Sequence, residues 1–319
     1  MLKVGLVGVG GISGAHIPAW DGMADAELVA LCDIRPEQMK KYQDKHLYTD
    51  IDEMLEKEQL DILDICLPTF LHAEVAIKAM NKGIHVLCEK PISLKVEDVA
   101  RVYAAAEKNN VKFMVAQVLR FMPSYELIKT AYENGTYGKL LSGVMSRLNH
   151  MPGWTWDDWM KDEDRSGLTP FDLHIHDLDF LVYAFGKPTD SAVHRSKRPE
   201  QDYFCATYRF ENGAFIHTEA SWYASAAFPF SSSFRFQFEK AVIVSENGAL
   251  TAYLDNGEKQ ILDDTAAVDS GVLGLPSTNA YANEICYFAD CVKEDKPIEK
   301  VKASELETVL KYLHRIQNA

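Results

Sequence analysis

Over the first 117 residues, short apolar runs alternate with stretches whose apolar positions recur at helical spacing. The runs are Lys3–Val7, Leu28–Cys32, Ile62–Leu67, His85–Cys88 and Phe113–Ala116. They are rich in Val, Ile, Leu and Cys and lack a clean apolar–polar alternation, the pattern of strands covered on both faces in a parallel sheet. Between them, Ile12–Met23, Pro36–Lys45, Ile51–Lys57, Leu71–Lys82 and Val96–Asn109 read as helices, with Val75, Ala76, Ala79 and Met80 showing the spacing. Strand–helix alternation predicts a doubly wound α/β domain, residues 1–118.

The pattern then changes. A helix is predicted near Pro123–Asn134, followed by strands at Tyr203–Phe210, Ala214–Ser221, Phe234–Phe238, Ala241–Val244 and Leu250–Leu254. Asn212-Gly213, Asn247-Gly248 and Asn256-Gly257 supply hairpin turns. The polar stretch Lys197–Asp202 reads as a loop. One helix interrupts the strands near Asp172–Phe185, and two more, Asn279–Lys293 and Ala303–Gln317, close the chain. Residues 119–319 are therefore expected to form an α+β domain on a largely antiparallel open sheet, for substrate binding and oligomerisation.

The chain has 319 residues, enough for two ordinary domains. Its 47 acidic and 33 basic residues give a net charge of -14, which argues against a nucleic-acid partner. The six cysteines form no CxxC pair and no zinc-type spacing with histidine, so reduced thiols are expected. No apolar stretch approaches the roughly 20 residues of a membrane span, and Met1–Val7 has no signal-peptide core. A cytoplasmic protein without membrane association is expected.

Gly8-Val9-Gly10-Gly11-Ile12-Ser13 follows the first strand and opens the first helix. Gly8 permits a tight turn, Gly10 lets the backbone approach a pyrophosphate, and Ser13 replaces the usual third glycine. Asp33 ends the second predicted strand, 20 residues after Ser13, where an acid binds ribose hydroxyls. The carboxylate favours NAD. Arg35, two residues on, keeps NADP open.

Cys88-Glu89-Lys90-Pro91 puts a lysine at the end of a sheet strand, where α/β folds bind ligands. The run Gly83–Pro91 resembles the signature of the glucose-fructose oxidoreductase/inositol dehydrogenase family (Gfo/Idh/MocA). Leu67-Pro68-Thr69-Phe70-Leu71-His72 is similar to its strand-four loop, Arg120-Phe121-Met122-Pro123 to its entry into the second domain, and Phe171–Asp177 to its D-x-x-x-H segment. The resemblance implies a Rossmann domain followed by an α/β domain whose open sheet forms homodimers or homotetramers. It also implies NAD(P)-dependent redox chemistry on a sugar, inositol or related polyol. By this resemblance Lys90, Asp172 and His176 are the catalytic set. Gly8, Gly10, Gly11, Ile12, Asp33, Arg35, Leu67, Pro68, Thr69, His72, Glu89, Lys90 and Gln117 lie along the cofactor. His174 stands where the family often has glycine, and is expected to add a polar group to the substrate pocket.

The chemistry is consistent. A secondary alcohol needs a base for its hydroxyl proton, and histidine titrates near neutrality. On a helix, Asp172 and His176 are four apart and share a face. Lys90, approaching from the other domain, polarises the oxygen that becomes the carbonyl. Trp154 and Trp156 offer flat faces to a sugar ring, and Arg120, Tyr281 and Asn283 are weaker candidates to line the pocket. No metal is expected, because His174 points away from His176 on a helix. Two other functions remain open: a non-catalytic dinucleotide sensor, and a redox-neutral elimination or cleavage through transient oxidation.

Overall fold

The computed structural model of the chain describes residues 1–246, 249–263 and 280–319. The turn Asn247-Gly248 and the first residue of the predicted helix Asn279–Lys293 lie outside them.

In the first unit, β1 (Leu2–Val7), β2 (Ala26–Cys32), β3 (His46–Tyr48), β4 (Ile62–Ile65), β5 (His85–Glu89) and β6 (Phe113–Ala116) form one sheet in the order β3-β2-β1-β4-β5-β6. Every pairing is parallel. Four strand positions of β4 and all four of β6 are buried, which is why these strands read as unbroken apolar runs. Helices α1 (Ser13–Asp21), α2 (Pro36–Met39), α3 (Ile51–Lys57), α4 (His72–Met80) and α5 (Val96–Lys108) connect them. The chain steps outward from β1 through β2 to β3, then returns to β4 on the other side. The strand order therefore reverses between β1 and β4, where doubly wound folds bind ligands at the carboxyl edge.

In the second unit, α6 (Pro123–Glu133) precedes β7 (Leu140–His150). The chain continues through α7 (Glu163–Ser166), a π-helical turn (Pro170–His174) and α8 (Ile175–Phe185). Then come β8 (Asp190–Arg198), β9 (Gln201–Arg209), β10 (Phe215–Tyr223), β11 (Ser231–Phe238), β12 (Ala241–Glu246), β13 (Ala249–Leu254) and β14 (Lys259–Asp263). The eight strands follow the order β14-β13-β12-β11-β7-β10-β9-β8, and only β7 and β10 run parallel. Phe180 and Phe185 of α8 meet Phe236 of β11, and Tyr125 of α6 meets Phe180 and Phe234, so an aromatic cluster fills the inner face.

Several features differ from the sequence reading, three of which bear on the architecture. The central strand β7 was absent from it, because Ser142, Gly143, Ser146 and Asn149 break the alternation. Gly143 is needed there, since a Cβ would lie 2.6 Å from the Phe236 ring. Residues 197–202 are not a loop: Lys197 and Arg198 end β8, Gln201 begins β9, and the two strands pair up to Arg198 and Gln201. An edge strand exposed on one face is free to be polar, which hid it. Finally, helix α9 (Ala280–Lys293) belongs with the first unit. It buries Ile285, Phe288 and Ala289, packs on α1, and Lys293 pairs with Asp25. Among the described residues, 280–303 thus group with 1–118, while 119–263 and α10 (Ala303–Gln317), from 304 on, form the second unit.

Candidate functional site

Because the first sheet is wholly parallel, its carboxyl ends lie along one edge. The register pairs Val7 with both Cys32 and Ile65, Ile65 with Cys88, and Glu89 with Ala116. Gly8, Asp33, Cys66, Lys90 and Gln117 each follow a strand end in that row.

Gly8 has φ +94, and a Cβ there would sit 2.5 Å from the carbonyl oxygen of Cys66, so only glycine fits. A Cβ on Gly10 would meet nothing within 4 Å, so space lies open over this part of the turn. Ser13 is 2% exposed and donates to the carbonyl of Gly10 at 2.7 Å. It closes the turn from within, so the missing third glycine leaves the outer surface clear. No side chain caps the first turn of α1, whose N–H groups and dipole suit an anionic pyrophosphate. The Val9 N–H donates to Asp33 Oδ2 at 2.8 Å, which fixes the acid beside the turn. Arg35 Nε and Nη2 donate to the same carboxylate at 3.1 and 3.2 Å. At the far end of the row, Gln117 is buried and its Oε1 accepts no hydrogen bond among the described residues. An open glycine turn and a buried amide oxygen awaiting a donor fit a dinucleotide.

Two expected cofactor residues are committed elsewhere. His72 is buried, with Nδ1 2.7 Å from the Pro91 carbonyl and Nε2 2.7 Å from that of Leu67. Burial holds its pKa below the ordinary value, against the pull of the two carbonyls that face its ring nitrogens. Glu89 is 6% exposed. Its Oε1 lies 3.0 Å from His16 Nε2, and its Oε2 accepts the backbone N–H of Lys90 at 3.0 Å. Thr69 is also buried, while Lys90 itself is half-buried and precedes a cis peptide bond to Pro91.

The sequence reading missed the group beneath Glu89. His16 Nδ1 lies 2.8 Å from Asp64 Oδ2, and Trp20 Nε1 donates to that oxygen at 2.7 Å. Asp64 and His16 are fully buried. The signal was present: an aspartate inside Ile62-Leu63-Asp64-Ile65 must find a partner in the core.

In the second unit, Ile175 N–H reaches back five residues to the Pro170 carbonyl, which makes the turn at 170–174 π-helical instead of the predicted α-helix. Asp172 and His176 are the only half-buried side chains from 170 to 182. His174 is a correction. It is fully buried, its Nε2 meets the Tyr208 hydroxyl at 2.8 Å, and its ring lies against Phe204 and Tyr208. Burial, with Arg147 adding to it, pushes its pKa down to about 3. It is a neutral core residue and not part of a substrate surface. Arg120 is a second correction: it is fully buried, its Nη2 and Nε meet Asp179 at 2.6 and 2.8 Å, and it also pairs with Glu305. Trp154 and Trp156 are 53% and 39% exposed. The loop that carries them turns through Asp157 and Asp158, both at positive φ, and Arg165 clasps Asp157 and Asp162. Tyr281 on α9 faces His16 at 5.8 Å between ring centroids, and Asn283 is exposed. Among the described residues, the one trio of ligand-type side chains close enough to share an ion is His16, Asp64 and Cys66. The first two are already hydrogen-bonded to each other.

Residues 2–117 match the oxidoreductase family with an NAD-binding Rossmann fold, and residues 125–250 match the GFO/IDH/MocA C-terminal domain. The D-apiose dehydrogenase of Paraburkholderia graminis is 30% identical over 61% of this chain and 52% of its own length. The myo-inositol 2-dehydrogenase of Thermotoga maritima is 30% identical over 59% of this chain and 56% of its own. The matches thus span about half the length of these curated relatives. A crystal structure of an oxidoreductase from Agrobacterium radiobacter, in complex with NAD+, L-tartaric acid and magnesium, superposes with a TM-score of 0.84. It covers 99% of this chain and 96% of that one at 18% identity, which is a likeness of fold. No helix among the described residues is long and apolar enough to cross a membrane.

Proposed function

The chain belongs to the Gfo/Idh/MocA oxidoreductase family, and from that premise we propose that it moves a hydride between NAD(H) and a secondary alcohol or ketone of a sugar, inositol or related polyol. The observation that carries this reading is the alignment of the Gly8 turn, Asp33 and Lys90 along one carboxyl edge. Gly8, Gly10, Gly11 and Ile12 hold the pyrophosphate on the N-terminus of α1, Asp33 receives the adenosine ribose, and Leu67, Pro68 and Gln117 complete the row. Bound nicotinamide supplies the hydride acceptor or donor.

The chain's own side chains handle the proton and the oxygen. His176 takes the hydroxyl proton as alcohol becomes ketone and returns it in the reverse direction. Asp172, four residues earlier, orients that imidazole or a neighbouring hydroxyl. The Lys90 ammonium stabilises negative charge on the reacting oxygen. Trp154 and Trp156 present their exposed faces to the apolar side of a sugar ring. The names of the apiose and inositol dehydrogenases support the substrate class.

Two further assignments accompany this reading. The outer face of the second sheet carries Val144, Tyr203 and Phe215, all more than a third exposed, and supports a homodimer or homotetramer through that face. The six free thiols support a cytoplasmic location.

The test is a screen of pentoses, hexoses, cyclitols and sugar acids with NAD, and of the matching ketones with NADH, read at the NADH absorbance band. Turnover with a polyol supports the proposal. Tight NAD(H) binding with no redox change on any substrate overturns it in favour of a sensor. Product formed at sub-stoichiometric NAD without net NADH overturns it in favour of redox-neutral chemistry.

A further inference from the structure

The buried cluster under the carboxyl edge has no assigned task. We propose that His16 is a positioning residue, a doubly protonated imidazolium that bridges Asp64 to Glu89 and thereby fixes the backbone of Lys90. The proposal rests on the reading of Lys90 as a catalytic residue for its functional half only.

Both ring nitrogens of His16 face carboxylates: Nδ1 lies 2.8 Å from Asp64 Oδ2 and Nε2 3.0 Å from Glu89 Oε1. A carboxylate is an acceptor only, so a neutral ring, with one N–H, would leave a nitrogen lone pair against an anion. Two protons satisfy both contacts. Burial works against the charge, but Asp64, and after it Cys66, more than offset it, and the His16 pKa lies well above its usual value. Glu89 is shifted down despite burial, through its bond to His16. The other groups around the ring are Trp20 on α1, Cys66 after β4, Cys88 on β5 and Tyr281 on α9. Trp20 also donates to Asp64, and burial with Asp64 beside it pushes the Cys66 thiol up to about 12.

The consequence runs along the chain. Glu89 spends one oxygen on His16 and the other on the N–H of Lys90. A carboxylate anchored at one oxygen is a fixed acceptor for the next residue's backbone, which sets where the lysine leaves the sheet. Helix α1 begins at the glycine turn and carries His16 in its first turns. The same short helix thus offers its N-terminus to the cofactor and a side chain to the lysine loop.

The experiment uses the full chain labelled with ¹⁵N-histidine and uniformly with ¹⁵N. The expected result is that both His16 ring nitrogens keep imidazolium shifts from pH 6 to 8.5, and that the Lys90 amide resonance moves in His16→Gln. A neutral His16 ring at pH 7, or a Lys90 amide unchanged in a folded His16→Gln, overturns the proposal. Kinetics give the functional half. His16→Gln, which keeps one donor, should lower kcat roughly 10-fold and His16→Phe further, with KM for NAD within about 3-fold of wild type. Unchanged kcat in folded His16→Gln also overturns it. Should the wild type turn over no polyol, the proposed function fails, while the two resonances still decide the state and the reach of His16.

Discussion

Arg35 folds its guanidinium back onto Asp33, with Nε 3.1 Å from Oδ1 and Nη2 3.2 Å from Oδ2. The arginine that left NADP open is therefore engaged by the acid that favours NAD. A 2′-phosphate would have to break this pairing and then face the carboxylate, whereas free ribose hydroxyls donate to it. We expect kcat/KM for NAD to exceed that for NADP by at least about 10-fold, from one or two charge-assisted hydrogen bonds. Asp33→Ser should narrow or reverse the ratio by releasing Arg35. Steady-state kinetics with both cofactors check this, and a wild-type preference for NADP would refute it.

Asp172 and His176 stand alone as accessible side chains in an otherwise buried stretch. His176→Ala should lower kcat by about 10²-fold or more while NAD(H) affinity, read by NADH fluorescence, stays within a few-fold. Asp172→Asn should cost less in kcat and more in KM for the polyol if it holds a substrate hydroxyl. Near-normal turnover in His176→Ala would remove it from the mechanism.

How far the sequence reaches is visible in these same residues. The parallel sheet was legible because buried strands spell unbroken Val, Ile and Leu, and the glycine turn because its backbone excludes a Cβ. The strand β7 was not, since its inward positions include Gly143, which packs by having no side chain. Helix α9 looked like part of the second domain by position alone. Its partner, α1, lies more than 250 residues earlier, and no local pattern encodes such a pairing. The site was legible as residue types at motif spacing. What each side chain faces was not: Arg120, His174, His72 and Glu89 have the right chemistry for ligands and spend it on Asp179, Tyr208, backbone carbonyls and His16.

Arg120 and Asp179 form a buried pair, completed by Glu305 on α10. Burial raises the Asp179 pKa, and Arg120 counters part of that rise. Arg120→Met removes the counter-charge and should destabilise the protein by about 3–5 kcal/mol. Arg120→Met combined with Asp179→Leu should recover a large part of the loss, because no lone buried aspartate remains. Urea unfolding of the three proteins checks this. A higher KM for polyol in Arg120→Met at unchanged stability would instead place Arg120 at the substrate.

His174 ties acid sensitivity to the core of the second unit. Its pKa is about 3 in the fold against an ordinary 6.5, so between these values the unfolded chain binds a proton that the folded chain refuses. Its contribution to stability is therefore full above pH 6.5 and is lost as the pH falls towards 3. Between pH 8 and pH 5 the wild type should lose about 2 kcal/mol through this group. His174→Phe keeps a ring against Phe204 and Tyr208 but has nothing to protonate, and its stability should fall less over the same range. The check is urea unfolding of both proteins at several pH values, comparing slopes instead of absolute stabilities, because the substitution also strands the Tyr208 hydroxyl. Equal slopes would mean that His174 is as free to take a proton in the folded protein as in the unfolded chain, which would contradict its placement beside Tyr208.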